Sequence, residues 1–397
     1  MVADVVVVGA GPAGAASAIL LAEHGLAVTV LERGPRARAK VCGEYLSPEG
    51  GRVLDRLGVL KTVDVGGAVA MSGMRITAPD GTVLDARYGA VGGFRPYRDH
   101  AIGVPRATLD GALLDRVRAL PIELRTGVRV TEVLVEAGRV TGVVGMDAAG
   151  ARVEARGRVV IAADGRASVI AHRLGCRRRH RLARMALVTY VSGVPGCRDL
   201  GEIFVDPPDY AILNPLAPDR VNLSLVVPLA HAVPWRARLE DFFAARIKQL
   251  PHLARRLVGA VRVAPLASLG PLAYRVTPPR QGGVLFVGDA AGFYDPFTGE
   301  GIFTALRSAE LAVETVVAAL RAGDVSAAAL KAYDRARCAA FADKARVTRL
   351  LQVLVARRSV ANLAARWFTR RPRVLAALLG VVGDYVPPSA LPRLLLS

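Results

Sequence analysis

A glycine-rich turn directly after an apolar strand is the part of this sequence best suited to do chemistry. Residues 4–8 are apolar apart from the first, and Gly9, Gly11 and Gly14 follow them. In such a turn the first glycine permits a tight bend, the second lets the backbone approach a pyrophosphate, and the third lets the next helix pack closely. Glu32 lies 18 residues after Gly14, at the end of a second apolar run, where its carboxylate is suited to accept hydrogen bonds from ribose hydroxyls. The pattern predicts a Rossmann-type dinucleotide site.

Two later segments repeat the arrangement of an apolar strand that ends in glycine and aspartate. One apolar run ends at Asp164 and Gly165, and another ends at Gly288 and Asp289. Each segment places a carboxylate and free backbone amides at the carboxyl edge of a sheet, where ligands bind in α/β folds. We therefore expect all three segments to contact the same ligand.

The elements that position these segments predict an α/β fold. We expect a Rossmann-like nucleotide-binding domain, with an inserted β-sheet substrate domain and a helical C-terminus. The predicted boundaries are 1–60, 100–180 and 281–340 for the discontinuous nucleotide-binding domain, 61–99 and 181–280 for the substrate-binding domain, and 341–397 for a basic helical segment. Residues 128–155 read as a β-meander whose last strand is 151–155, and a separate strand follows at 159–163. Residues 239–257 read as a helix.

Composition and charge exclude several classes of protein. The 397 residues carry a formal charge of +19, but only 5% are aromatic and no basic stretch is interleaved with aromatics, so we expect no nucleic-acid binding. The 4 cysteines and 6 histidines show no metal-ligand spacing, and we expect no metal. No apolar stretch of about 20 residues is free of charge and proline, and the first strand begins almost at Met1. We therefore expect a cytoplasmic protein without a signal peptide or membrane span.

The three motifs resemble, in order, the FAD motifs of the oxidoreductases built like p-hydroxybenzoate hydroxylase, over nearly the whole chain. The resemblance implies FAD as cofactor and makes the discontinuous Rossmann-like domain an FAD-binding domain of the glutathione-reductase type. It implies that the first glycines and Glu32 hold the ADP half and that Asp289 binds the ribityl chain. It also implies a place near the cofactor for Arg106. The second motif of that group usually ends in an arginine linked to nicotinamide use, where this chain has Ala171. We therefore expect NAD(P)H or another reductant as electron donor. The full set of implied FAD-binding residues is Gly9, Gly11, Pro12, Ala13, Gly14, Glu32, Arg33, Arg106, Asp164, Gly165, Gly288, Asp289, Pro296, Gly299, Gly301 and Ile302.

Residues 40–48, KVCGEYLSP, resemble a stretch of geranylgeranyl reductases that passes near the flavin and contains an important cysteine. The resemblance makes Cys42 a thiol at the flavin face that donates a proton or gates the substrate, and Lys40 is placed to lower its pKa. The other interpretation of Cys42 is a small buried hydrophobic residue. Glu44 and Tyr45 are further catalytic candidates that line the cavity or cap the following helix. The Gly-Glu pair in this stretch also resembles a loop of flavin-dependent halogenases.

Residues 207–215 fall in register with the segment that covers the substrate cavity of geranylgeranyl reductases. The prolines and Tyr210 match, while Ile212 replaces a tryptophan and Asn214 replaces a phenylalanine. We expect these three side chains to contact the substrate. The replacements indicate a substrate that differs from a polyprenyl chain.

The C-terminal segment is basic and amphipathic. Residues 341–397 contain ten Lys and Arg residues and two acids, and apolar residues recur among them at helical spacing. One interpretation places the apolar face against the rest of the protein; the other makes this segment a peripheral membrane contact.

Together these features predict an FAD-dependent oxidoreductase with a bulky, lipophilic small-molecule substrate. We favour the geranylgeranyl-reductase-like reduction of carbon–carbon double bonds in an isoprenoid or polyketide-like compound. The alternative is a monooxygenase that hydroxylates an aromatic or polyketide substrate. A flavin-dependent halogenase and a non-catalytic flavoprotein are further alternatives, and the halogenase is disfavoured because Trp235 and Trp367 stand alone rather than in a WxWxIP segment.

Overall fold

The computed structural model describes residues 3–35 and 40–396 as a mixed α/β protein. The strands are β1 (Ala3–Val8), β2 (Val28–Glu32), β3 (Tyr45–Leu46), β4 (Val69–Met71), β5 (Gly73–Thr77), β6 (Val83–Arg87), β7 (Ala101–Gly103), β8 (Ile122–Thr126), β9 (Arg129–Glu136), β10 (Arg139–Met146), β11 (Arg152–Ala162), β12 (Arg177–Arg179), β13 (Arg184–Ser192), β14 (Leu200–Asp206), β15 (Asp209–Ala217), β16 (Arg220–Pro228), β17 (Val261–Arg262), β18 (Ala267–Leu269), β19 (Tyr274–Val276), β20 (Val284–Phe286) and β21 (Gly292–Phe293). The α-helices are α1 (Pro12–Glu23), α2 (Pro48–Arg56), α3 (Leu60–Val65), α4 (Arg106–Arg118), α5 (Val169–Arg173), α6 (Leu229–Ala232), α7 (Leu239–Gln249), α8 (Pro251–Arg256), α9 (Gly301–Ala322), α10 (Ala327–Leu354), α11 (Arg358–Thr369), α12 (Pro372–Val382) and α13 (Leu391–Leu396).

The first sheet carries the nucleotide-binding turn. Its order is β8-β2-β1-β11-β10-β9, and β20 pairs in parallel with β11. Strand β1 lies in parallel between β2 and β11, and α1, α4 and α9 pack against its face through fully buried side chains such as Ile19, Leu113 and Val316. Its apolar run, residues 5–8, is continuous because both faces of a parallel sheet are covered. The predicted Rossmann-like fold is confirmed.

One strand of this sheet is longer than predicted. The last strand of the meander and the strand expected at residues 159–163 form a single strand, β11. Its first half pairs antiparallel with β10, and its second half pairs in parallel with β1. The prediction of two strands was wrong because the backbone stays extended through Gly157, where only the hydrogen-bonding partner changes.

The second sheet lies over the carboxyl edge of the first. Its order is β17-β13-β16-β15-β14-β5-β6, with β18 on β13, so it combines residues 73–87 with residues 184–269. The helix predicted over residues 239–257 is two helices, α7 and α8, because Pro251 cannot donate a backbone hydrogen bond and Leu250 before it is extended. Two small sheets, β12-β19-β21 and β3-β7-β4, lie beside the large ones.

The C-terminal helices pack on the second sheet. Buried Ala365, Leu375 and Leu379 join a core that includes Met74 and Ile203. Ion pairs attach α11 to that sheet: Arg366 lies 2.9 Å from Asp80, and Arg358 pairs with Asp206. Much of the apolar side of the basic segment is therefore occupied by the protein itself.

Candidate active site

A cavity of about 860 Å³ lies between the two large sheets. The glycine turn after β1, the Asp164 turn after β11 and the Asp289 turn after β20 all line it, as does the stretch from Lys40 to Tyr45. The three turns meet because their strands are parallel neighbours whose carboxyl ends share one edge of the sheet.

At two positions of the glycine turn an added Cβ would clash with the protein backbone, and at the third position it would not. At Gly9, where φ is +97°, a Cβ would lie 2.5 Å from the carbonyl oxygen of Ala163. At Gly14 a Cβ would lie 1.8 Å from the carbonyl oxygen of Gly9, so this glycine packs α1 against the turn and does not line the cavity. At Gly11 a Cβ would meet only Nζ of Lys40, at 3.6 Å. The Gly11 backbone is therefore approachable by a ligand, at the start of a helix whose first amides lack helical acceptors.

The acidic residues of the first two motifs are held by backbone amides. Glu32 accepts from the amides of Ala10 at 2.7 Å and Gly34 at 2.8 Å, one on each carboxylate oxygen, which leaves further lone pairs facing the cavity. Asp164 accepts from the amide of Val169 at 2.8 Å through Oδ2, and its buried Oδ1 has no protein partner. Burial raises the pKa of Asp164.

The third motif presents a carboxylate without a protein donor among the residues that the structure describes. The Gly288 amide donates to the Ser308 hydroxyl at 2.9 Å, which fixes the turn behind the cavity. The carbonyl of Asp289 accepts from the Tyr274 hydroxyl at 2.6 Å, while the carboxylate of Asp289 lines the cavity and burial raises its pKa. Unpaired acceptors on Asp164 and Asp289, together with the open backbone at Gly11, fit the hydroxyl-rich and phosphate-containing halves of FAD.

The remaining predicted FAD contacts also lie at this cavity. Its lining includes Pro12, Ala13, Arg33, Gly165, Pro296, Gly299, Gly301 and Ile302. Gly299 adopts φ +68° and lies so near Tyr45 that a Cβ would approach the ring to 2.5 Å. The loop before α9 is thus packed tightly against β3, which is part of the Cys42 stretch (residues 40–48).

Arg106 stands in a buried ion cluster beside the cavity. Its guanidinium donates to both oxygens of Asp110, at 2.9 and 3.0 Å, and Lys40 donates to the same carboxylate at 2.8 Å. The cluster fixes the guanidinium next to Cys42. It also engages Lys40. The prediction that Lys40 lowers the pKa of the thiol is wrong, because the pKa of Cys42 is raised and the cation that opposes the rise is Arg106.

Cys42 lines the cavity, and its burial favours the protonated thiol. Burial raises the pKa of Cys42, and the adjacent Arg106 guanidinium only partly opposes this effect. The sulfur accepts a hydrogen bond of 3.3 Å from the amide of Glu44. The stretch therefore presents Sγ to the cavity at a fixed position.

Glu44 is a buried acceptor that ties together three elements. Its carboxylate accepts from the Arg106 amide at 2.8 Å, from the Tyr190 hydroxyl at 3.1 Å and from Nδ2 of Asn222 at 3.1 Å. It thus caps α4 rather than the following helix. Burial raises its pKa. With these donors engaged, Glu44 is suited to positioning the Cys42 stretch.

Two asparagines of the second sheet hold the Cys42 stretch from above. Nδ2 of Asn222 donates to the carbonyl of Cys42, and Nδ2 of Asn214 donates to the carbonyl of Gly43, both at 2.8 Å. The amide orientation of Asn214 is fixed, because its oxygen cannot donate to a carbonyl. Its Oδ1 is buried beside Gly201 and has no protein donor among the described residues.

Asn222→Leu is expected to lower the free energy of unfolding by about 1–3 kcal/mol, because the Cys42 carbonyl and the Glu44 carboxylate each lose a buried donor. Urea unfolding of the FAD-free protein measures the change. Asn362→Ala, which removes one acceptor near the surface, is the control and should cost less. Equal effects of the two substitutions would contradict this role of Asn222.

Tyr45 and Tyr210 are more deeply engaged than the sequence predicts. The hydroxyl of Tyr45 shares a 2.6 Å hydrogen bond with that of Tyr88, and burial raises the pKa of Tyr45 well above its ordinary value. Tyr210 donates to Asp295 at 2.7 Å and lies behind the cavity wall rather than in it. Ile212, which was also predicted to contact the substrate, does line the cavity.

The half of the cavity away from the glycine turn is apolar. Strands of the second sheet contribute Ile203, Ile212 and Val226, and the C-terminal helices cover it with Leu351 and Phe368. The sequence did not predict this cover, nor the roles of Asn222 and Tyr190. The sequence signal for the role of Asn222 is its position as an asparagine inside the apolar strand at residues 221–227.

Comparisons with known proteins agree with the geometry. Residues 2–348 match the family described as FAD binding domain. The digeranylgeranylglycerophospholipid reductase of Methanocella arvoryzae is 28% identical over 346 residues, which cover 83% of this chain and 81% of that protein. The 6-methylpretetramide 4-monooxygenase of Streptomyces rimosus is 29% identical over 330 residues, covering 81% and 77%. The flavin-dependent brominase Bmp2 has the same fold, with a TM-score of 0.85 and 20% identity over 100% of this chain and 98% of that one.

The fold and the site define an FAD-dependent oxidoreductase. The chain belongs to the FAD binding domain family, whose relatives here include reductases, monooxygenases and halogenases. FAD is the cofactor, and flavoenzymes of this kind take electrons from NAD(P)H or another reductant. Among the described residues, no helix combines the length and apolarity needed to cross a bilayer.

Proposed function

We propose that this protein reduces carbon–carbon double bonds in a bulky apolar substrate of the isoprenoid or polyketide-like class. The observation that carries the proposal is the joining of two regions in one cavity: FAD-binding turns at one end, an apolar chamber at the other, and the Cys42 thiol in the lining. The reductase from Methanocella arvoryzae supports the same chemistry by similarity.

Reduction of a double bond adds a hydride to one carbon and a proton to the other. Bound FAD, once reduced, supplies the hydride. The raised pKa of Cys42 keeps a proton on Sγ near neutral pH, and the neighbouring Arg106 guanidinium stabilises the thiolate that remains after donation. Solvent then returns a proton to Sγ. The apolar lining excludes water from the substrate and favours a lipophilic one.

A hydroxylating monooxygenase is the second candidate. The polar residues Asn214 and Ser224 in the lining of the otherwise apolar chamber favour it, because they suit a substrate that carries a polar group. The similarity to the Streptomyces rimosus monooxygenase points the same way. In this reaction the product gains an oxygen atom from O₂.

A paired incubation separates the two reactions. The FAD-loaded protein is chemically reduced and mixed with a lipid and secondary-metabolite extract, once without oxygen and once in air, and the products are identified by mass spectrometry. We expect compounds that gain pairs of hydrogen atoms in the anaerobic tube. Compounds that gain oxygen, or a halogen when halide is added, and only in air, would contradict the proposal.

Reduced free FAD in the same extract is the control for non-enzymatic reduction. A second control uses protein without FAD, which should give no product. Absence of turnover with every reductant would instead indicate a non-catalytic flavoprotein.

A further inference from the structure

The end of α10 and the whole of α11 expose large apolar side chains to solvent. Leu350 and Val353 are 59% and 65% exposed, and Leu363 and Trp367 are 72% and 39% exposed. Among the side chains that the structure describes, the exposed leucines and the exposed tryptophan are all in this segment. Apolar exposure of this kind on consecutive helices marks an interaction surface.

The same two helices are apolar on their inner side as well. Leu351, Val355 and Phe368 line the cavity, and they are sequence neighbours of the exposed side chains. A helix that only covers a core turns polar residues toward water. These helices instead separate the apolar chamber from a second apolar surface.

Exposed arginines lie among the outer apolar side chains in sequence. Arg346, Arg358 and Arg366 each pair with an aspartate. Five other exposed arginines between residues 346 and 373 have no carboxylate at salt-bridge distance among the residues that the structure describes: Arg349, Arg357, Arg370, Arg371 and Arg373. The Arg371 guanidinium lies over the Trp367 ring, 4.4 Å from its centroid. The surface is therefore apolar at four side chains and carries positive charge as well.

We propose that residues 346–373 form a docking surface for an anionic lipid bilayer. Leucine and valine suit the acyl boundary, tryptophan suits the headgroup level, and unpaired arginines attract anionic headgroups. Charge complementarity selects an anionic bilayer over a neutral one. The inference rests on the surface itself and is independent of the reaction, although docking here brings a lipophilic substrate next to the helices that cover the chamber.

Vesicle binding by the FAD-loaded full chain tests the proposal. Vesicles of phosphatidylcholine alone and of phosphatidylcholine with phosphatidylglycerol are sedimented with the protein at low and high salt. We expect binding to the anionic vesicles, weakened by salt and much weaker to neutral ones. Because the chain has 2 tryptophans, Trp235→Phe leaves Trp367 as the sole reporter, and its emission should shift to the blue and be quenched by brominated lipid.

Matched variants assign the binding to this surface. Leu350→Ser with Leu363→Ser should weaken it at least about tenfold, because two exposed apolar side chains no longer enter the bilayer. Replacing Arg357 and Arg370 by Gln should weaken it about fivefold for each arginine. Val258→Ser is the control, because Val258 is 71% exposed but lies outside residues 346–373. This substitution should leave vesicle binding unchanged.

Three results would overturn the proposal: equal binding to neutral and anionic vesicles, no change in Trp367 emission, or equal loss in the Val258→Ser control. The proposal would also be wrong if the chain bound no vesicles but bound an acidic protein, and the leucine and arginine substitutions weakened that binding instead. The flavin absorbance of each variant verifies that the protein remains folded.

Discussion

Gly11→Ala is expected to give a folded protein that binds FAD roughly 10- to 100-fold more weakly, because the added methyl group would overpack the contact between the bound cofactor and the turn. The added Cβ would meet only Nζ of Lys40 at an ordinary 3.6 Å, so nothing in the FAD-free protein is displaced. The methyl group would stand where the backbone is open to a pyrophosphate. Titration of FAD into the FAD-free protein measures the affinity, and thermal unfolding measures the stability.

Gly14→Ala provides the contrast, because it should damage the fold itself. Its Cβ would lie 1.8 Å from the Gly9 carbonyl oxygen, and two backbones would have to separate. We expect a loss of about 3 kcal/mol or more in the free energy of unfolding of the FAD-free protein. Gly89→Ala, whose Cβ meets nothing within 4 Å, is the control for both measurements. Unchanged FAD affinity in Gly11→Ala would contradict the assignment of the glycine turn.

Cys42→Ala is expected to lower product formation by roughly 10²- to 10⁴-fold, the usual contribution of a positioned proton donor. Reduction of the bound flavin should continue at the normal rate, because the thiol acts only on the substrate. Rapid-mixing measurements of flavin reduction and of product formation separate these two steps.

Two further cysteine variants define the role of the sulfur. Cys42→Ser keeps the size of the side chain but holds its proton far more tightly, so it should be nearly as slow as Cys42→Ala. Cys338→Ser changes an exposed cysteine and should behave as the unmodified protein. Full activity in Cys42→Ala would leave the thiol as a buried small residue without a catalytic role.

The nucleotide-binding part of the fold could be predicted from the sequence because its determinants are local. Gly9, Gly11 and Gly14 act through backbone conformation and through the close approach of the backbone to a ligand or to a neighbouring element. Residue type and spacing predict both properties. The carboxylates of Glu32, Asp164 and Asp289 follow apolar strands directly, so their position at the sheet edge follows from the strands.

The partners of the Cys42 stretch depend on tertiary packing and could not be predicted in the same way. Lys40 is close to Cys42 in sequence, yet Asp110 on α4 engages it. Asn222 reaches the Cys42 carbonyl across 180 residues of sequence, because β16 lies above the stretch. The cover of the chamber likewise depends on how α11 and α12 pack against β6, which no periodicity in the segment specifies.

Anaerobic reoxidation of the reduced, FAD-loaded protein is the most direct test of the proposed reaction. The reduced protein is mixed with a polyunsaturated isoprenoid lipid without oxygen, and the visible absorbance of oxidised flavin is followed together with the product by mass spectrometry. The proposal predicts recovery of the absorbance and one saturated double bond for each flavin reoxidised, with both lost in Cys42→Ala. If the flavin stays reduced with every apolar substrate until oxygen is admitted, and an oxygenated product then appears, the protein is a monooxygenase and the central claim is wrong.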